Sequence, residues 1–217
     1  MVDALNFHRL EARLRLTGTM TTVTGLHVGA GTPAISDGLD QPVLRDALGL
    51  PFIPGASLKG VLRSTLESLV RALDGRRMTA CDPLARDACG AHERGERSQA
   101  MAAEHCTICA LFGSRVLASH VRISDALMVD SERVSPVEVR DGVAIDRDTG
   151  TVRGPLKFDF EVVPPGVGFD LEVFVENPVP WAMGLLMIGF DQIHRGYTTV
   201  GGFGSRGLGR VKIAWSA

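Results

Sequence analysis

The chain has 217 residues and 23.2 kDa, 45% of them hydrophobic and 22% charged. That composition excludes a disordered, collagen-like or coiled-coil protein and predicts one domain over 1–217. A formal net charge of −2 and a pI of about 6.3 exclude a generic polycationic coat, so a polyanion would have to be held in a local groove. No apolar run of about 18 residues predicts a membrane span. The charged N-terminus, MVDALNFHRLEAR, has no apolar leader core, so a cytoplasmic location is expected. There, four cysteines serve as thiols or metal ligands rather than disulfides. With one Tyr, two Trp and nine Phe, stacking of bases on aromatic rings is not expected to be the main tool.

Leu10, Ala12, Leu14 and Leu16 alternate with Glu11, Arg13 and Arg15, which predicts a half-buried strand. Gly18 is read as its interruption, and a second extended stretch runs to about Val28. A loop rich in Gly and Pro follows from Gly29 to about Pro54, a length typical of functional loops. Residues 57–73 place Leu58, Val61, Leu62, Leu66, Leu69, Val70 and Leu73 on one helical stripe, with Lys59 and Arg63 together on the other side. Residues 76–110 hold Cys81, Cys89, His92, His105, Cys106 and Cys109 in a charged segment without apolar periodicity, which reads as an insertion. A strand is predicted over 119–129. A hairpin-like excursion is predicted over 137–165, with turn signals at Asp141-Gly142 and Asp148-Thr149-Gly150. Residues 168–176 alternate as a strand. Residues 179–194 are apolar nearly all round and read as a buried helix that stops at Arg195 and Gly196. A glycine-rich loop over 196–209 leads to a last strand over 210–215. The order is the ferredoxin-like β-α-β-β-α-β arrangement of the α+β class, an antiparallel sheet with two helices on one face. The other face is left for a ligand or for the excursion.

Four groups of residues can carry chemistry. Cys106 and Cys109 form a C-x-x-C pair, and Cys81 and Cys89 lie upstream. The four are either unpaired thiols or the ligands of a tetrahedral structural Zn²⁺, with His92 or His105 as alternative ligands. The first loop sets His27, Asp37, Asp40 and Asp46 among glycines, a pattern suited to hydrolysis or metal-assisted phosphoryl chemistry, or simply to solvated turns. Pro54-Gly55-Ala56-Ser57 opens the first helix, and Ser57, Lys59 and Arg63 make either a phosphate-binding end or an ordinary basic face. Gly202-x-Gly204-x-x-Gly207 matches a dinucleotide fingerprint in letters only, because a strand follows it. It is either a plain turn or a donor-rich loop that offers Ser205 and Arg206 to a phosphodiester. From residue 192 onward the cations Arg195, Arg206, Arg210 and Lys212 meet no Asp or Glu.

In that order GLHVGAG, GLDQPVLRD, LPFIPGASLKGVLRS, CALFG and GGFGSRGLGRV resemble the RAMP superfamily of CRISPR-associated proteins over essentially the whole chain. They are most similar to the backbone subunits of type III effector complexes. The resemblance implies a modified RNA-recognition palm, with the excursion as a thumb that wedges into the guide–target duplex. It implies a subunit that stacks with copies of itself or related RAMP subunits, beside other type III effector subunits, along a guide RNA. Complementary target RNA is then cut at regular intervals. The family's cleaving Asp lies in a G-G-x-D-x-P-V pattern. The matching stretch is Asp37-Gly38-Leu39-Asp40-Gln41-Pro42-Val43, which makes Asp40 the catalytic candidate and departs from the pattern at Asp37. His27, Ser57, Lys59, Arg63, Ser205 and Arg206 match segments that hold RNA. A carboxylate with the ordinary pKa of about 3.9 is a weak base at neutral pH, so Asp40 is expected to act with Mg²⁺ or another divalent metal during attack by a 2′-hydroxyl. The alternatives are a subunit that only scaffolds guide RNA, a guide-processing ribonuclease working through histidine, and an unrelated zinc enzyme.

Overall fold

Strict alternation puts Met20, Phe169, Leu171, Val173, Val175, Val121, Ile123, Val211 and Ile213 on one face of a sheet, all buried. The structure, a computed structural model, describes residues 7, 9–31, 40–73, 78–91, 105–129 and 137–216. Its elements are β1 (Arg13–Thr22), α1 (Gly55–Ala72), α2 (Thr107–Phe112), β2 (Val121–Ile123), β3 (Glu138–Ile145), β4 (Val152–Val162), β5 (Gly168–Glu176), α3 (Pro180–His194) and β6 (Val211–Trp215). The main sheet runs β2-β5-β1-β6, and each neighbouring pair is antiparallel. With α1 between β1 and β2 and α3 between β5 and β6, this is the expected β-α-β-β-α-β path.

The apolar face receives Leu58, Leu62, Leu66 and Val70 from α1, and Leu185, Leu186, Phe190 and Ile193 from α3. Each such burial stabilises the fold by roughly 1.5–3 kcal/mol. The opposite face is polar. It carries the ion pairs Arg13–Glu176 (2.7 Å) and Arg15–Glu172 (2.5 Å), and Phe174 flanked by the guanidinium groups of Arg15 and Arg122. Among the described residues the excursion makes no sheet pairing with this face. β3 and β4 form a separate two-stranded sheet, and its root pairs with the first loop through a bridge between Leu26 and Val163.

Several local expectations change. β1 is continuous through Gly18, which pairs with Leu171 and Trp215. The strand expected over 119–129 shrinks to three residues, after which the chain makes only isolated bridges at Ala126 and Met128. Asp141-Gly142 is no turn. Gly142 lies inside β3 opposite Phe158, whose ring would be 2.2 Å from a Cβ there, so glycine serves ring packing rather than chain reversal. The reversal is at Asp146–Gly150, where the Asp146 carboxylate accepts the N–H groups of Asp148 and Thr149 and Gly150 takes φ +66°. α3 is buried on one side only, since Met187 and Ile188 are 42% and 51% exposed.

Candidate nucleic-acid interface and cysteine centre

The hairpin root organises the first loop. Alternation in β4 turns Phe158, Phe160 and Val162 to one side and Lys157, Asp159 and Glu161 to the other. On the apolar side, Phe158 and Phe160 pack with Phe203 of the glycine-rich loop, and His27 lies against Phe203 with ring centres 4.9 Å apart. Gly201 lets this happen. Its φ is +78°, and a Cβ there would sit 2.3 Å from the His27 carbonyl oxygen, which accepts the Gly202 N–H at 2.8 Å. Phe203 itself takes φ +59°, a left-handed conformation unusual for an aromatic residue. Next come Gly204–Arg206, a single 3₁₀ turn. The exposed Arg206 guanidinium rests over Phe203 and Phe158, 5.0 and 5.5 Å from their centres. Ser205 beside it is exposed. The aromatic residues here form a platform under a cation, a use that their low overall count did not suggest.

On the polar side of β4, Asp40 is exposed, and one of its carboxylate oxygens accepts the Asp159 N–H at 3.0 Å. Gln41 continues alongside β4 through Gln41 N–H to Asp159 O (3.1 Å) and Glu161 N–H to Gln41 O (3.0 Å). Glu161, a buried carboxylate, accepts the Val43 N–H at 2.9 Å and an Arg45 N–H at 2.8 Å. His27 Nδ1 lies 2.7 Å from the Glu161 carbonyl oxygen. Around Asp40 the electrostatics are uneven. A hydrogen bond shared with Asp141, then burial, push the Asp159 carboxyl above its usual range, whereas Lys157 Nζ at 3.2 Å holds Asp141 below it. Asp46 is a turn residue whose carboxylate takes the N–H groups of Leu48 and Leu50. Asp37 and Gly38 lie outside the described residues.

Ser57, Lys59 and Arg63 occupy a different place. Helix α1 starts against Asp125, whose carboxylate accepts the Gly55 N–H at 2.8 Å, so part of the expected anion-binding end is capped by the chain itself. Ser57 is half-buried. Lys59 Nζ donates to Ser119 Oγ at 2.7 Å, and burial, with Arg63 nearby, lowers its pKa. Arg63 donates to Glu67 (2.8 Å), to the Gly113 carbonyl (3.0 Å) and to Cys109 Sγ (3.3 Å). Burial works against its charge, but Glu67 and Cys109 outweigh that and raise its pKa. Among the described residues, no hydrogen bond or ion pair joins these three side chains to Asp40, Ser205 or Arg206.

The four cysteines do come together. The sulfur atoms of Cys81, Cys89, Cys106 and Cys109 lie within 4.8 Å of one another. Tetrahedral Zn–S bonds of about 2.3 Å require sulfur separations near 3.8 Å, and the Cys81–Cys109 separation is 3.5 Å. Backbone N–H groups of Cys81, Cys106 and Cys109 point at sulfur at 3.3–3.4 Å. The Cys109 side chain, opposed by burial but helped by two of those N–H groups, draws the Cys106 thiol down to about 4. Burial pushes Cys89 up. This donor set suits a soft, four-coordinate metal ion with no open position. His105 is bonded to Ser114 at 2.8 Å, and His92 lies outside the described residues.

Helix α2 was not anticipated. Cys106 caps it, Cys109 lies within it, and Ile108, Leu111 and Phe112 anchor it in the main core. Sequence reasoning also missed Arg45, Asp159 and Glu161. The alternation of KFDFEV is a visible signal of a two-sided strand, but the first-loop partners of Asp159 and Glu161 lie more than 110 residues away.

The family model of the RAMP superfamily matches residues 19–212, and the chain belongs to that superfamily. It is 30% identical to the CRISPR system Cms endoribonuclease Csm3 of Methanocaldococcus jannaschii, over 94% of this chain and 79% of that protein. It is 29% identical to the Csm3 of Enterococcus italicus, over 94% of this chain and 91% of that one. A shorter stretch, 57 residues or 25% of this chain and 24% of its relative, is 51% identical to the Csm3 of Mycobacterium tuberculosis.

Proposed function

We propose that the chain is the backbone subunit of a type III CRISPR ribonucleoprotein, that it binds guide RNA along the phosphate backbone, and that it cleaves complementary target RNA with Asp40. The observation that carries this reading is the placement of Asp40 in a chain similar along its length to proteins named endoribonucleases. Its carboxylate is exposed, one oxygen is fixed by the Asp159 N–H, and Arg206 stands on the neighbouring Phe158. Asp40 would be the residue that holds Mg²⁺ or another divalent ion, which when bound would supply stabilisation of charge on the phosphate oxygens. Asp40 orients the 2′-hydroxyl and takes up its proton. A bond forms between that oxygen and phosphorus, the bond from phosphorus to the 5′-oxygen breaks, and the leaving 5′-oxygen takes a proton from solvent water while the proton on Asp40 returns to solvent. The products carry a 2′,3′-cyclic phosphate and a 5′-hydroxyl.

Guide contacts come from Ser205, Arg206 and His27 at the hairpin root and from Ser57 and Lys59 on α1, with Arg63 adding charge behind Lys59. The hairpin of β3 and β4 is the thumb, and exposed Val139, Val143 and Leu156 give it an apolar surface for unstacked bases. Cys81, Cys89, Cys106 and Cys109 hold a structural Zn²⁺. The partners are guide RNA, complementary target RNA, further copies or related RAMP subunits, and other type III effector subunits.

The test is to purify the complex with its guide and add complementary RNA with and without magnesium. Regularly spaced, magnesium-dependent cuts with 5′-hydroxyl ends are expected. Asp40→Ala should reduce cutting by about 100-fold or more and leave guide binding intact. Uncut target with tight guide binding in the unmutated complex would favour a scaffold.

A further inference from the structure

Glu161 gives every one of its polar groups to the same stretch of chain. Its N–H donates to Gln41, its carbonyl oxygen meets His27 Nδ1, and its two carboxylate oxygens accept from Val43 and Arg45, all between 2.7 and 3.0 Å. The side chain is only 9% exposed, and among the described residues both of its oxygens are taken by the first loop. Two residues earlier on the same strand, the Asp159 N–H holds Asp40. The loop is therefore tied to β4 at 27, 40, 41, 43 and 45, and the side-chain ties beyond Asp40 itself converge on one residue.

We propose that Glu161 is a positioning residue for target cleavage: it clamps the Asp40-bearing loop to the strand that forms the hairpin root, so that the acid stands at a fixed offset from the hairpin. This rests on the reading of Asp40 as the cleaving acid. The chemistry requires a carboxylate. Two donors, a backbone N–H and a guanidinium N–H, face its two oxygens, and a carboxamide would turn its own N–H₂ against one of them. With the carboxylate gone, the loop loses its ties at Val43 and Arg45 and keeps, among the described residues, only backbone ties to the strand: the Asp159 N–H on Asp40, the Gln41 pairing, His27 on the Glu161 carbonyl and the Leu26–Val163 bridge. A displacement of about 1 Å at a reacting group is enough to cost about 100-fold in rate.

The experiment uses the assembled complex with guide RNA and a matched target at saturating concentration, and compares Glu161→Gln with Asp40→Ala. Single-turnover cutting by Glu161→Gln should fall about 10- to 100-fold, while the affinities for guide and target stay within about twofold. Arg45→Met removes one of the two donors and should reproduce a smaller part of the loss. It carries the same criterion if Glu161→Gln does not accumulate as folded protein. Cutting by both variants at the unmutated rate, with Asp40→Ala inactive, overturns the positioning role and leaves the Asp40 reading in place. Rate and guide affinity that fall together also overturn it, because that marks a merely structural residue. If Asp40→Ala itself cuts normally, the reading beneath the proposal is what fails.

Discussion

The hairpin root and the cysteine centre are built on the same device and put it to opposite ends. Each centres on a buried glutamate, Glu161 on β4 and Glu67 on α1. Glu161 draws in Arg45 and the backbone of the first loop, and the same strand leaves Asp40 exposed on its polar side and Arg206 exposed over the ring of Phe158 on its other side. Glu67 draws in Arg63 (2.8 Å) and Arg71 (3.7 Å), and these arginines reach on to Cys109, Gly113 and the Cys81 carbonyl. One glutamate presents charge to solvent, and the other consumes it. The lesson is that a cation counted in a sequence is not a cation available to a ligand. Arg206 rests on two rings and its side chain makes no hydrogen bond among the described residues, whereas Arg63 has committed its donors within the fold.

The strongest way to break this contrast is to remove a thiol. Cys109 is buried, receives Arg63, and lies in the helix that anchors the segment in the core. Cys109→Ser, or exhaustive chelation, should release one equivalent of zinc, measured by elemental analysis, and lower Tm by several degrees. Losing a structural site together with a buried sulfur is expected to cost about 3 kcal/mol or more. If the cysteine centre is a scaffold, target cutting per folded complex should survive better than stability does. A protein that holds no metal and keeps its Tm as Cys109→Ser would reduce the four sulfurs to ordinary core thiols.

A smaller effect separates stability from binding on α1 itself. The ammonium of Lys59 is kept at a cost, because burial, then Arg63, lowers its pKa. A folded-state pKa below the unfolded value means that the charged form destabilises the fold. The penalty is fully present below the folded pKa and disappears as pH rises past the ordinary lysine value of 10.5. Lys59→Met should therefore leave Tm unchanged or raise it near neutral pH, with the gain shrinking toward pH 10.5. Guide RNA binding should weaken by about 10-fold at the same time, as lost phosphate contacts imply. A Tm that falls together with RNA affinity would make Lys59 a structural partner of Ser119 and nothing more.

What could be read from the sequence follows from the range of the interactions involved. β5 over 168–176, α1 within two residues at its start and one at its end, α3, and the β-α-β-β-α-β order were all legible, because apolar periodicity is a local signal. Helix α2 was not, since six residues are too few to show a period and its cap is a cysteine. Asp141-Gly142 misled because glycine beside aspartate suits a turn, yet here it makes room for the Phe158 ring across the strand. The sequence marks Asp40 with His27 in the first loop and Ser205 with Arg206 in the glycine-rich loop, as two separate groups. That they converge on the hairpin root depends on Glu161, Asp159 and Phe158, and periodicity carries no information on which distant strand a loop will meet. Arg63 shows the converse, because helical spacing placed it beside Lys59 but not against a sulfur 46 residues away.

The smallest expected effect sharpens the comparison most directly, because it isolates one exposed cation. Among the described residues the Arg206 guanidinium meets the ring faces of Phe158 and Phe203, so Arg206→Ala removes a cation–π contact of about 0.5–1 kcal/mol and should shift Tm by no more than a few degrees. Its guanidinium makes no ion pair among the described residues. If it meets a guide phosphate, its loss should reduce the slope of log affinity against log salt by about one. Arg63→Ala provides the matched control on the other side of the molecule. Its donors serve Glu67, Gly113 and Cys109, so it should cost more stability than Arg206→Ala and change the salt slope less. An equal change of slope for the two arginines would mean that RNA reaches Arg63 despite its internal partners, and the distinction between presented and consumed charge would fail.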